Sequence, residues 1–176
     1  MKTLVFDTET TDLIKNKLQP LDKQPHIIEF FGVSLDLEGN ELDHYHFMFD
    51  PGFAISEEVT RITNITPAML AGKPKFKQHA EEIKRIIEFH DEVVAHNLSY
   101  DRSVVDFEMK RAGVEVEWPD LVCTVEATEH IKGFRLNLNA LHELLFGEGF
   151  TGAHRAENDV RALANCFREL RTTGNV

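Results

Sequence analysis

The 176-residue sequence predicts an α/β fold, and three observations carry that prediction. Short apolar runs, Leu4-Val5-Phe6 and Val93-Val94-Ala95 among them, are too brief for helices and suit strands buried on both faces. Between and after such runs the apolar period changes to that of amphipathic helices, as at Ala80, Ile83, Ile86 and Ile87. Carboxylates also recur where predicted strands end, at the sheet edge where open α/β folds place their ligands. The length fits one domain covering residues 1–176, with a sizeable core.

Taken in order, Met1 to Leu13 (MKTLVFDTETTDL) starts as a strand and ends in acid. The polar stretch IKNKLQPLDKQP after it, with two prolines, reads as a mobile loop without assigned chemistry. His26–Leu37 and Glu41–Phe49 read as two further strands joined at Gly39-Asn40, where positive φ is available for a hairpin. His44 and His46 alternate along the second of these. Without a matching Cys/His pair downstream, exposed sheet polarity is the expectation over zinc.

Helical signals follow. Ser56 caps Glu57-Glu58, and Thr66-Pro67 repeats the device with Pro at the first helical position. A longer helix spans about Phe76–Phe89. Glu92–His96 is a short strand running into Asn97–Asp101, with Ser99 as the expected cap of the next helix. Leu121–Val125 makes a last strand, and Leu136–Phe146 a helix closed by Gly147. After the Gly-rich break GEGFTGAH, the positions Val160, Leu163, Ala164, Phe167 and Leu170 mark the buried stripe of a final helix.

Composition bounds the function. The formal net charge is −11, which argues against a broad phosphate-gripping surface but not against an enzyme that holds a few nucleotides. Neither a signal peptide nor a membrane span is read, so a cytoplasmic protein is expected. Cys123 and Cys166 lie in apolar settings and read as reduced core residues.

The chemistry is concentrated in carboxylates. Asp7 and Glu9 alternate at a strand end, so both point to one side. Like charges there repel and lose water, a conflict that hard divalent cations such as Mg²⁺ or Mn²⁺ resolve. By itself the pair is equally compatible with Asp7 capping a turn. Asp101 adds a third carboxylate in the first turn of a helix. His154 and Asp159 bracket the start of the last helix; on a regular helix they would stand about 140° apart. They face one point only if the glycine-rich run lets His154 swing in from a loop.

Asp7-Thr8-Glu9, His96–Asp101 and His154–Asp159, in this order, resemble the three motifs of the DEDDh group, the DnaQ-like 3′–5′ exonucleases. Thr63–Leu70 is similar to the family's Thr/His-Gly-Ile-Thr segment, and the resemblance covers roughly Leu4 to Leu170. It implies an RNase H-like fold, a mixed five-stranded sheet flanked by helices. It also implies that Asp7, Glu9, Asp101 and Asp159 hold two divalent ions, Mg²⁺ or Mn²⁺, with His154 as general base. Leu13 maps to the family's wedge against the terminal base, and Thr8, Thr10, Asn97 and Tyr100 map to positions near the terminal nucleotides.

The activity so implied is 3′–5′ exonucleolytic hydrolysis of single-stranded DNA, releasing nucleoside monophosphates. An exoribonuclease or oligoribonuclease is the alternative, and an inactive binding module of the same fold a more distant one. A polymerase is an implied protein partner, but the chain ends soon after its last helix, and a free-standing enzyme is the expectation. Two departures stand out: Asp12 and Asn64 occupy positions where the family usually has Gly. Both residue types tolerate positive φ, and Asp12 also brings a negative charge near the incoming strand.

Overall fold

A computed structural model describes residues 1–176. Five strands, β1 (Thr3–Thr10), β2 (Ile27–Leu35), β3 (Glu41–Met48), β4 (Glu92–Ala95) and β5 (Asp120–Cys123), form one sheet in the order β3-β2-β1-β4-β5. β1 pairs antiparallel with β2, and β2 with β3; β1 pairs parallel with β4, and β4 with β5. The helices are α1 (Glu57–Thr63), α2 (Pro67–Leu70), α3 (Phe76–Phe89), α4 (Leu98–Ala112), α5 (Thr124–Lys132), α6 (Leu138–Phe146) and α7 (Ala156–Thr172). This mixed five-stranded sheet flanked by helices is the RNase H-like arrangement expected.

β1 is central, and its alternation serves two cores. Leu4 and Phe6 join Phe30, Ile83, Ile87, Val104 and Val105 on the α3/α4 face. Val5 joins Phe31, Val33, Val160, Leu163 and Phe167 on the α7 face. The stripes read for α3 and α7 are therefore the buried ones, except that Ala164 is only partly covered. Cys166 is buried, Cys123 partly so, and both are free thiols. No helix is long and apolar enough to cross a membrane.

Several boundaries differ from the sequence reading. β2 stops at Leu35 because the Asp36 carboxylate accepts from Asn40 N (2.7 Å) and Nδ2 (2.9 Å), closing the hairpin early; positive φ falls on Gly39 alone. β5 ends at Cys123 and turns directly into α5, an unpredicted helix whose N-cap, Cys123, makes no side-chain capping bond. α6 starts later than expected because Asn137 is its cap, accepting from Ala140 N. α4 starts at Leu98, with Asn97 at the cap position in left-handed conformation, so Ser99 lies inside the helix.

The segment after Leu13 is not the loose loop its composition suggested. Gln24 Nε2 donates to Asn16 O (2.8 Å) and Gln19 O (3.0 Å), folding the segment on itself. Arg111, on α4, donates to the carbonyls of Leu21, Gln24 and Pro25 and pairs with buried Glu108 at 3.3 Å. Arg111→Met should lower unfolding stability by about 1–3 kcal/mol, through the buried acceptors it abandons. A denaturant titration reads that loss, and hydrogen exchange should speed up in residues 14–25 while the β1 amides stay protected.

Candidate active site

The alternation that splits the core also splits the acids. Asp7 and Glu9 follow Val5 on the α7 face, whereas Thr8 follows Leu4 and Phe6 toward α4. One oxygen each of Asp7, Glu9 and Asp159 lies within 4.8 Å of the others, a spacing suited to a shared cation. Asp159 comes from the first turn of α7. Asp101 comes from the first turn of α4 and is held to β1 by Thr8: its Oδ1 accepts from Thr8 Oγ1 (2.7 Å) and Thr8 N (3.1 Å). Thr8 is thus buried and occupied with Asp101.

Two left-handed residues make this convergence possible. Asn97 (φ 65°) turns the chain from the end of β4 into α4 within two residues, bringing Asp101 back to the sheet edge. His154 (φ 67°) does the same before α7, a conformation that costs an L-residue roughly 1–2 kcal/mol. The bond from His154 N to Asp159 Oδ2 (2.8 Å) offsets that cost and fixes the two residues relative to each other. His154 does come from the loop while Asp159 projects from the helix, as the spacing required, and the imidazole is exposed.

Crowding shows in the acidities. Burial, then the charges of Asp101, Glu9 and Asp159, push Asp7 well above the ordinary carboxylate range. Burial, then Asp159 and Glu29, push Glu9 up to about 8. Burial raises Asp101 to about 7 against the opposing Thr8 bonds, and raises Asp159 to about 6 against the bond from His154 N. Such a site resists carrying its full negative charge alone. Its donors are hard oxygens in mutual reach, which fits Mg²⁺ or Mn²⁺.

The remaining predicted positions border the cluster. Tyr100 Oη and Thr10 Oγ1 share a hydrogen bond at 2.6 Å, and the hydroxyl that accepts in it is free to donate to Asp12 O, which lies 2.9 Å from Thr10 Oγ1 and 3.1 Å from Tyr100 Oη. Burial lifts the Tyr100 phenol to about 12, so it stays a neutral donor. Asn97 Oδ1 accepts from Arg135 Nη2 at 3.1 Å. Leu13 is 72% exposed beside Asp12. Of the two departures, Asn64 takes positive φ (57°) as expected, but Asp12 does not. Its carboxylate accepts instead from Leu13 N and Lys15 Nζ, each at 2.7 Å, so the extra charge is paired.

The sequence reading missed Glu29 and Arg155. Glu29 lies opposite Glu9 in the β1–β2 register, fully buried, and Arg155 binds it through two nitrogens. A lone acid inside the apolar run HIIEFF was the available signal. His46 also meets Glu29, at 2.9 Å, whereas His44 turns to Glu41, at 3.6 Å. The two histidines therefore serve separate carboxylates, and His46 supplies a hydrogen-bond partner to a fully buried acid.

The family model described as Exonuclease matches residues 4–167. The chain is 30% identical over 171 residues to the DNA polymerase III subunit epsilon of Treponema pallidum, covering 94% of this chain and 74% of that one. It is also 30% identical over 164 residues to the PolC-type DNA polymerase III of Pediococcus pentosaceus, covering 90% of this chain but only 10% of that much longer protein. Among solved structures, the nuclease domain of 3′hExo, a DEDDh family member bound to rAMP, shares the fold with a TM-score of 0.79 at 14% identity, covering 98% of this chain and 92% of that one. The chain belongs to the DnaQ-like, DEDDh-type exonuclease family.

Proposed function

We propose that this protein removes nucleoside monophosphates from the 3′ end of single-stranded DNA by divalent-metal-dependent hydrolysis. The observation that supports this most is the convergence of Asp7, Glu9 and Asp159 within 4.8 Å, with Asp101 tied to the same strand and His154 tied to Asp159. Asp7, Glu9, Asp101 and Asp159 would hold two ions, Mg²⁺ or Mn²⁺. When bound, such ions activate the attacking water and stabilise the leaving 3′-oxygen. His154 accepts the water's proton at Nδ1 or Nε2, a task for which an imidazole is better matched to neutral pH than a carboxylate. Leu13, exposed at the rim, packs against the terminal base. Tyr100, Thr10 and Asn97 orient the terminal nucleotides through hydroxyl and amide contacts.

DNA is favoured because the relatives above are DNA polymerase III components, which also suggests a polymerase partner. RNA is the second reading, supported by the fold shared with 3′hExo bound to rAMP. A digestion panel of 5′-labelled DNA and RNA oligonucleotides with Mg²⁺ or Mn²⁺ tests both. Stepwise shortening from the 3′ end of DNA alone is the expected result; preferential RNA shortening selects the second reading, and no shortening rejects both. The intact acid set and His154 disfavour an inactive binding module.

His154→Ala should slow turnover by about 10²–10⁴-fold, the usual contribution of a general base, with the fold intact. Digestion by the variant at the parent rate would remove His154 from the mechanism.

Stability carries a second prediction. The four acids bind protons more tightly in the folded than in the unfolded chain, so the native state holds the extra protons. Their contribution is therefore fully present below the unfolded carboxylate pKa near 4 and is lost as pH rises through the folded values. In chelator, Tm should fall between pH 5 and pH 8, and Mn²⁺ should restore it by binding the native state. Asp7→Asn should raise Tm in chelator, because it removes a repelled charge, and should lose both the Mn²⁺ gain and activity. A parent melting curve indifferent to Mn²⁺ would count against the four-acid site.

Substrate affinity should depend only weakly on salt. Each neutralised single-strand phosphate contributes a slope of about −0.7, so a few local contacts give about −1 to −2 in log–log form. Measured with His154→Ala in Ca²⁺, a steep slope persisting in chelator would point to a basic track instead.

A further inference from the structure

Glu29 is a fully buried acid between two sheet neighbours, and all of its hydrogen-bonding capacity goes toward one turn of chain and one strand neighbour. Its oxygens accept from Arg155 Nη2 (2.9 Å) and Nε (3.2 Å), and from the backbone N–H of Ala156 (3.2 Å). His46 Nε2 completes the set at 2.9 Å. Arg155 and Ala156 are the two residues that follow His154. The junction from loop to α7 is therefore held at three successive positions: His154 N by Asp159, the Arg155 side chain by Glu29, and Ala156 N by Glu29.

His154 needs that support. It is exposed, follows a glycine-containing loop, takes a left-handed φ, and its imidazole makes no hydrogen bond within the protein. Its position is set by backbone alone. One of its backbone anchors, Asp159, is itself a member of the acid cluster, whereas the Glu29 anchor spends its oxygens on protein donors outside that cluster. Arg155 also supplies a counter-charge one strand away from Glu9, so Glu29 can remain an anion there without adding a free charge.

We propose that Glu29 and Arg155 are positioning residues for the general base, acting through His154 and not through metal binding or substrate contact. This rests on the exonuclease reading above. A planar guanidinium reaching one carboxylate through two nitrogens fixes orientation as well as distance, which a lysine in the same place cannot reproduce. Because a displacement of about 1 Å in a reacting group can cost about 10²-fold, loosening this joint should be visible in turnover.

The test is a double-mutant cycle on the full chain, comparing the parent, Arg155→Lys, His154→Ala and the double variant. Single-turnover digestion of a 5′-labelled oligonucleotide would be followed at saturating Mn²⁺, well below the melting temperature. Arg155→Lys should slow the parent by about 10- to 100-fold while KM and the half-saturating Mn²⁺ concentration stay within about two-fold. In the His154→Ala background the same change should cost nothing further, because the group it positions is gone. Should Arg155→Lys fold poorly, Glu29→Gln with Arg155→Met removes both charges together and should give the same pattern. An equal loss with and without His154, a shifted Mn²⁺ requirement, or an unslowed Arg155→Lys enzyme would each overturn the assignment. In those cases an active parent leaves the exonuclease reading standing; an inactive parent overturns both.

Discussion

The crowding of like charges at the end of β1 is the constraint on which the rest of the structure depends. Asp7 and Glu9 share a face, Asp159 is brought within 4.8 Å of them, and after burial the charge of Asp101 raises the pKa of Asp7 further. No unfolded chain would gather these groups. They are gathered because β1 is buried on both sides, with α4 and α7 packed against its opposite faces through two apolar clusters. The apolar cores thus supply the free energy that holds a locally unfavourable arrangement in place, and the site stores the difference for a cation to release.

Alternation along a single strand then gives neighbouring residues different work. Thr8 points toward α4 and spends both its hydroxyl and its N–H on Asp101. Asp7 and Glu9 point toward α7 and meet Asp159. Neighbouring residues of one strand thus do two jobs: Thr8 fastens a carboxylate brought by α4, while Asp7 and Glu9 offer their own beside Asp159. Glu29 belongs to the same face as Glu9 but has a different fate: Arg155 and two further nitrogens, Ala156 N and His46 Nε2, neutralise and satisfy it, and its pKa is held below the ordinary carboxylate value despite burial. The contrast separates an acid neutralised by a guanidinium from the clustered acids of the site, whose pKa values burial and mutual repulsion raise.

Much of this was legible in the sequence because it rests on local rules. The strand-end placement of Asp7 and Glu9 follows from a period of two, and the need for His154 to enter from a loop follows from the helical angle between it and Asp159. What was not legible depends on long-range partners. Ser99 looks like a cap, but the turn is set by Asn97 in a left-handed conformation, a choice governed by where β4 ends. α5 follows β5 without a capping side chain, so its start leaves no local mark. The stretch from Ile14 to Pro25 is rich in loop-forming residues, yet Arg111, some 90 positions away in the chain, holds it down. Glu29 was visible as an oddity, but its partners lie at positions 155 and 156, beyond any local pattern.

Net charge shows how far a global number can mislead about a local site. A total of −11 argues against a broad phosphate-gripping surface. Around the candidate site, however, the charges are paired one by one: Asp12 with Lys15, Glu29 with Arg155, Glu108 with Arg111. Lys17 and Arg135 reach the first turn of α4 through Ser99 O and Asn97 Oδ1, which brings positive charge to the rim where a strand would enter. The uncompensated negative charge nearest the reaction is the acid cluster itself, and that is the charge a divalent ion reverses. With ions held there as proposed, the field that a terminal phosphate would meet would be set close to β1 and would owe little to the acidic surface elsewhere, since exposed charges more than about 8–10 Å away are largely screened. An acidic protein can therefore hold a polyanion, on the condition that it holds only the end of one.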